Sequence, residues 1–249
     1  MRTRSSPGLA IGVSGLMLAL SGCGQPPPAS SGPPALPTKL WVDATAATIG
    51  ETKEWTNKVE IADLNGDGRP DLLFANGGNY SDPGTPEPNR VFFNQGPGQR
   101  FVERTTEVFG PKPDLARVIK ARDFNGDGLT DIVVGTTYQT QSRLYLGTGG
   151  GAFREVTTTN LPQEPLSVGD IEAGDVDGDG DLDLVLVDWG PGNNMTNAGG
   201  RTRLWLNDGT GRFTDATAAR MPADLVRFSW DLELVDVDVL VLVELLVVV

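Results

Sequence analysis

Three stretches of one pattern decide the reading: Asp63-Leu64-Asn65-Gly66-Asp67-Gly68-Arg69-Pro70-Asp71, Asp123-Phe124-Asn125-Gly126-Asp127-Gly128-Leu129-Thr130-Asp131 and Asp175-Val176-Asp177-Gly178-Asp179-Gly180-Asp181-Leu182-Asp183. Their first residues lie 60 and 52 positions apart. A second template, aromatic-x-acid-x-Thr, follows each in the same phase: Phe101 to Thr105, Phe153 to Thr157 and Phe213 to Thr217. A further copy, Trp41 to Thr45, precedes the first acidic stretch. Two independent templates in register mark an internal repeat, the signature of a stacked or radial architecture.

Each repeat reads as four short strands separated by Gly, Asn and Asp turns. In the second repeat these are Val118–Arg122, Ile132–Gly135, Arg143–Leu146 and Phe153–Thr157, with the acidic stretch 123–131 as the tight loop between the first two. The other repeats give Val59–Ala62, Leu72–Phe74 and Val91–Phe93, then Ile171–Gly174, Leu184–Val187 and Leu204–Leu206. No segment shows helical periodicity. Four strands per 52 to 60 residues, repeated, is the arithmetic of an all-β propeller.

The two templates resemble the FG-GAP/VCBS repeat family, the integrin-α-like propellers, over about residues 40–236. The resemblance implies four-stranded blades around an axis, with each acidic loop joining strands one and two. It also implies calcium. A hard divalent cation takes six to eight oxygens, and alternate loop positions aim their side chains at one centre while the glycines let the backbone wrap. The donors expected are Asp63, Asn65, Asp67, the Arg69 carbonyl and Asp71; Asp123, Asn125, Asp127, the Leu129 carbonyl and Asp131; and Asp175, Asp177, Asp179, the Asp181 carbonyl and Asp183. No Glu stands at position twelve, so these are not EF-hand loops. The expectation is about three structural ions; the plainer alternative is a set of acidic turns without one, whose carboxylates would then repel.

Strand connections one-to-two and three-to-four share one face of a propeller, so a ligand is expected on the opposite face, among the two-to-three connections 75–89, 136–142 and 188–200. Tyr80, Tyr138 and Trp189 lie there among Asn, Asp and Gly, a composition suited to carbohydrate or protein unless the loops merely cap the blades. Trp41, Trp55, Trp205 and Trp230 fall on or beside strands and are expected to pack between blades.

Composition narrows the chemistry. Of 249 residues 20 are Lys or Arg and 33 Asp or Glu, a net charge of −13, which opposes nucleic-acid binding. With no His, the Ser-His-Asp and Cys-His nucleophile systems are excluded. No dinucleotide or P-loop motif is present. Nothing in the sequence sets a catalytic carboxylate pair apart from the loops; Asp170 and Asp231, each five before a loop start, read as facing solvent or the axis.

Residues 1–22 read as a secretory signal: Arg2 and Arg4, then an apolar run Leu9–Leu20 too short to span a bilayer. The run ends in Leu20-Ser21-Gly22-Cys23, which resembles a lipobox, so Cys23, the only cysteine, is expected to carry a lipid. The alternative is an ordinary signal with an incidental cysteine. Residues 23–38 form a Pro/Ser-rich tether, and 39–249 the repeats. Gly24 after the cysteine favours, by resemblance, an outer-membrane or cell-surface location in a bacterial envelope.

A fourth repeat starts at about residue 229 and keeps Asp236 and Asp238, after which the pattern gives way to Val239–Val249, apolar but for Glu244. The segment is too short for a membrane helix and matches an aggregation-prone strand. The expectation is three complete blades and a truncated or frame-shifted fourth in an incomplete ring, with a short closing strand as the alternative. The functional expectation is a calcium-binding, lipid-anchored adhesion or binding module. The rivals are a polysaccharide-acting enzyme on the same scaffold and a non-functional fragment of a longer repeat protein.

Overall fold

The computed structural model describes residues 41–79, 82–192, 199–223, 229–235 and 244–248. Ala44–Val249 form one compact unit; residues 41–43 belong to the segment before it. The signal and tether expectations, including Cys23, fall outside the described residues, as does Tyr80.

After a helical turn α1 (Thr45–Thr48), the first blade is β1 (Thr56–Ala62), β2 (Asp71–Asn76), β3 (Arg90–Phe93) and β4 (Val102–Glu103), followed by α2 (Thr105–Phe109). The second is β5 (Ala116–Arg122), β6 (Asp131–Thr136), β7 (Arg143–Gly149) and β8 (Ala152–Glu155), followed by α3 (Thr157–Asn160). The third is β9 (Val168–Gly174), β10 (Asp183–Asp188), β11 (Thr202–Asn207) and β12 (Phe213–Asp215), followed by α4 (Thr217–Arg220). Each is a four-stranded antiparallel meander in sequence order. A fourth sheet holds β13 (Asp231–Val235) and β14 (Glu244–Val248), an antiparallel pair among the described residues. The architecture is an all-β propeller of incomplete blades whose ring is not closed, as expected. Part of the apolar tail is β14 itself, paired with β13.

Two expectations fail locally. The aromatic-x-acid-x-Thr template does not run on as a strand: its Thr starts a single helical turn, and the first copy, residues 41–44, holds no strand. The reason is a side-chain bond. Thr105, Thr157 and Thr217 accept through Oγ1 from the N–H of Val91, Leu144 and Leu204 in strand three. The residue before each Thr donates its N–H to the carbonyl of the same strand-three residue, which turns the chain out of the sheet. Helical turns this short have no apolar period to read.

The core lies between blades. One cluster joins blades one and two through Leu73, Val91, Ile119 and Tyr145; a second joins blades two and three through Val118, Leu144, Ile171 and Trp205. A third, with Val185, Trp189, Leu204 and Leu232, joins blade three to the fourth sheet. The innermost strands meet at the axis, where charge rather than apolar packing dominates. Lys58 Nζ lies 3.3 Å from Asp170 and 3.8 Å from Asp231, linking β1, β9 and β13. Lys120 pairs with Glu172, and Arg122 with Glu60 at 2.6 Å. Each of β1, β5 and β9 bulges at one residue, respectively Asn57, Arg117 and Gly169. The Arg117 guanidinium sits 5.1 Å from the Trp189 ring and 5.3 Å from Trp230, and donates to Asn57.

The tryptophans therefore exchange their expected places. Trp189, expected on a ligand face, is 5 % exposed, and its Nε1 donates to the Ser229 carbonyl at 2.7 Å. It is covered by Trp230 and Arg117, so it is not available as a ligand-face residue. Of the four expected between blades, Trp205 is fully buried, whereas Trp41, Trp55 and Trp230 are exposed. No helix among the described residues is long and apolar enough to cross a membrane.

Candidate metal centre

The three acidic loops share one backbone solution. Positions four and six are left-handed, with φ of 76° and 79° at Gly66 and Gly68, 70° and 82° at Gly126 and Gly128, and 81° and 96° at Gly178 and Gly180. An L side chain is strained there, which fixes both glycines. The first Asp gathers the turn. Asp63 accepts N–H bonds from Asn65, Gly66 and Asp67 on one oxygen and from Gly68, at 2.7 Å, on the other. Asp123 takes Asp127 and Gly128 in the same way, and Asp175 takes Gly178, Asp179 and Gly180. Position five accepts the N–H of position seven, so Arg69, Leu129 and Asp181 enter through their amides onto Asp67, Asp127 and Asp179.

Position nine does something the spacing did not reveal. Asp71, Asp131 and Asp183 have no exposed surface. One oxygen of each accepts the N–H of position two (Leu64, Phe124, Val176), the other the N–H that opens the three-to-four hairpin (Asn94, Gly147, Asn207). Each is thus a carboxylate rivet between two loops of the same face. Position two is a plug: Leu64 and Phe124 are buried in the inter-blade cores, and Val176 is partly buried in the third. A signal existed in the sequence, since Leu, Phe and Val occupy position two in a loop otherwise acidic.

Electrostatics separate the positions. Burial would raise Asp63, but its four backbone N–H bonds outweigh that and hold it below the ordinary carboxylate range. Burial wins at position nine. Asp131 is pushed up to about 6 by desolvation, opposed by the N–H groups of Gly147 and Phe124 and reinforced by the charges of Asp127 and Asp123. Asp71 and Asp183 are raised for the same reasons. Asp181 is raised by partial burial and by Asp179, Asp175, Asp208 and Asp177 around it. The loops hold negative charge that the described protein groups do not fully compensate.

Convergence differs between loops. Oxygens of Asp175, Asp177 and Asp183 lie within 4.8 Å of one another, the single such acidic group among the described residues. Two oxygens on one calcium at about 2.3–2.6 Å stand at most about 5 Å apart, so this trio fits a shared ion of that class. The Asp177 carboxylate makes no hydrogen bond among the described residues and has lone pairs to give. Loops one and two do not bring three carboxylates together in this way. There Asn65 and Asn125 turn their Nδ2 onto Asp67 and Asp127 at 2.9 and 3.0 Å, and in loop one Arg69 Nη2 sits 2.5 Å from Asp67.

Residues 63–134 and 123–186 each match the model of the FG-GAP-like repeat, the first match spanning loops one and two and the second loops two and three. The chain carries FG-GAP-like repeats. The repeats have no match among curated proteins. Among solved structures, the chain is similar to an Agrocybe aegerita lectin that recognises non-reducing terminal N-acetylglucosamine, at 17 % identity and a TM-score of 0.44. That match covers 74 % of this chain and 44 % of the lectin, so the chain spans less than half the length of that structure.

Of the expected ligand-face residues, Tyr138 is described and half-buried. Its backbone is left-handed, with φ of 56°, and its hydroxyl donates to the Asn79 carbonyl at 2.8 Å. The carboxyl pair missing from the sequence reading is Asp170 with Asp231. They share a hydrogen bond at the axis beside Lys58 and do not lie in the two-to-three connections.

Proposed function

We propose that this FG-GAP-repeat chain is a calcium-stabilised binding module of the cell envelope, held there by lipid on Cys23, with an extracellular protein or carbohydrate as its ligand. The observation that carries the reading is the convergence of Asp175, Asp177 and Asp183 on one point, within a loop of five aspartates and no basic residue. When bound, calcium supplies positive charge and multidentate oxygen coordination. Asp175 holds the glycine turn, Asp177 faces the ion with its unbonded carboxylate, and Asp183 ties the loop to the Asn207 hairpin. An ion there would fasten blade three at the loop end. Loops one and two would hold ions by the same positions, with Asn65 and Asn125 contributing amide oxygens once turned. Its role is structural, so the ligand surface rests on the blades rather than on the ion.

Calorimetric titration of the protein with calcium, paired with thermal melts in calcium and in chelator, tests this. Binding with a Kd on the order of 0.1–1 mM and a higher melting temperature in calcium are expected. A melt that calcium does not move, with no heat of binding, overturns the calcium part. Anchoring is tested separately: palmitate labelling in cells should be lost in Cys23→Ala, and labelling that survives the substitution removes the anchor from the proposal.

A further inference from the structure

On the acidic-loop face, a groove of about 480 Å³ opens between blades one and two. That volume falls within the range of small-molecule sites, about 300–1,000 Å³. Arg69, Gln95, Arg104 and Glu107 line it together with Asn65 and Asp67 of loop one, and Phe93, 7 % exposed beneath the Gly151 turn, is its apolar floor. Gly151 is left-handed, and a Cβ there would stand 2.3 Å from the Phe93 ring, so the turn lies directly on that ring.

The repeat provides its own control for whether the fold demands these side chains. Aligned on the shared templates, the positions of Arg69, Gln95, Arg104 and Glu107 are Leu129, Thr148, Val156 and Thr159 in the next repeat. The backbone between blades two and three is the same: Gly211 presses on Leu146 and Asn125 as Gly151 presses on Phe93 and Asn65. There Val156 is simply core. The fold is built without an Arg, Gln, Arg and Glu at these places, and the first groove has them.

Their arrangement defines a ligand class. Arg104 Nη1 meets Glu107 at 3.0 Å and Arg69 Nη2 meets Asp67 at 2.5 Å; the first pair lies outside the acidic loop and stays balanced in charge when Asp67 turns to an ion. Each pair is nonetheless partly exposed and retains donors and acceptors free of protein partners. Planar groups offering both donors and acceptors, without net charge and beside an apolar surface, suit vicinal hydroxyls that both donate and accept and a ring with C–H faces. We propose that this groove binds a neutral saccharide unit, with Arg104 and Glu107 bonding adjacent hydroxyls. The inference deepens the binding-module reading and rests on it; it does not require lipid on Cys23.

The test is saturation-transfer NMR on the protein in excess calcium. The probe is a panel of methyl glucosides, galactosides and mannosides and their 2-acetamido counterparts, each at on the order of 10 mM, in excess of a millimolar Kd. At least one glycoside should give a signal. Its affinity should fall about tenfold or more in Arg104→Ala and in Glu107→Ala, both on exposed side chains, with melting temperature kept. Thr159→Ala, the matching position of the next groove, should leave affinity unchanged. No signal from any glycoside on a protein that melts cooperatively and responds to calcium overturns the groove while leaving the binding module with another ligand. A signal unaffected by Arg104→Ala and Glu107→Ala places the sugar elsewhere and also overturns it. A missing calcium response instead marks failure of the calcium reading, whatever the sugars do.

Discussion

Loops one and three have the same glycines at the same left-handed positions, the same Asp cap and the same buried rivet, yet they manage charge differently. In loop one Arg69 lies on Asp67 and Asn65 donates to the same carboxylate. In loop three the corresponding residues are Asp181 and Asp177, and nothing cationic takes their place. The comparison separates two tasks that the motif performs together. Positions one, four, six and nine shape the loop through backbone geometry, whereas positions three and seven decide how much of its negative charge the loop itself compensates. The shape is common to all repeats; the uncompensated negative charge is graded.

The sharpest way to break that separation is to remove the rivet. Asp183→Ala and Asp71→Ala each strand one buried and one partly buried N–H group, at a cost of about 3 kcal/mol. For a unit of this size that amounts to a fall in melting temperature of about 6–12 °C. If geometry and metal demand are distinct, the two substitutions should cost similar amounts in chelator, as read by circular dichroism. A loss confined to calcium-containing buffer would show instead that position nine matters only as a ligand.

Next in size is the metal response itself. Asp177→Ala removes a carboxylate that no described donor uses, so in chelator its melting temperature should hold or rise by a degree or so as repulsion is relieved. In calcium at about a hundred times Kd, the stabilisation expected of an occupied site is about 2.7 kcal/mol, and most of loop three's share should vanish in this variant. Equal calcium responses of wild type and variant would place the ion in another loop.

These two substitutions also mark how far the residues could be read before the coordinates. The spacing of acids and glycines made the loop and the blade count legible and set cation binding as an expectation, because local geometry imposes that spacing whatever surrounds it. The rivet was legible only as one more acid, since its partners Asn94, Gly147 and Asn207 arrive from another loop of the blade. Tertiary context likewise decided the tryptophans: a loop residue, Trp189, is buried because the Arg117 bulge and Trp230 cover it. The groove between blades one and two has no signature in the sequence, because its residues come from a loop, a hairpin and a helical turn that only the fold brings together.

The axis offers a smaller effect with a different sign. Asp170 is pushed up to about 6 by burial and by its hydrogen bond to Asp231, against the pull of Lys58 and Lys120. Asp231 is lowered by that same bond, and Glu172 pairs with Lys120 nearby. A carboxyl that keeps its proton longer when folded contributes stability below its ordinary value and loses it as pH rises through the folded value. Between pH 4 and about 6, wild type should therefore lose melting temperature relative to Asp170→Asn. Asp231 acts oppositely, but below that window, where the unfolded chain takes up its proton first. The other raised carboxyls, Asp131 and Asp114 among them, are common to both proteins and cancel in the comparison. Parallel curves for the two proteins would remove the shared proton from the account.

The finest test returns to the residue that distinguishes the loops. Arg69→Gln takes a partly exposed cation off Asp67 while keeping length and hydrogen-bonding capacity. An exposed pair of this kind is worth at most about 1 kcal/mol, so the stability change in chelator should be slight. For calcium the same Arg is a competitor at position five. Its removal should therefore tighten loop one, by about two- to fivefold if the competing energy is of that order. Calorimetry on the Asp177→Ala background, where loop three is silent, leaves loops one and two, of which only loop one carries the change. Unchanged affinity would mean that Arg69 swings away when the ion arrives and that loops one and three, despite their different resting charge, hold calcium alike. Tighter binding would mean that one arginine in position seven lowers a loop's demand for metal while leaving its fold intact.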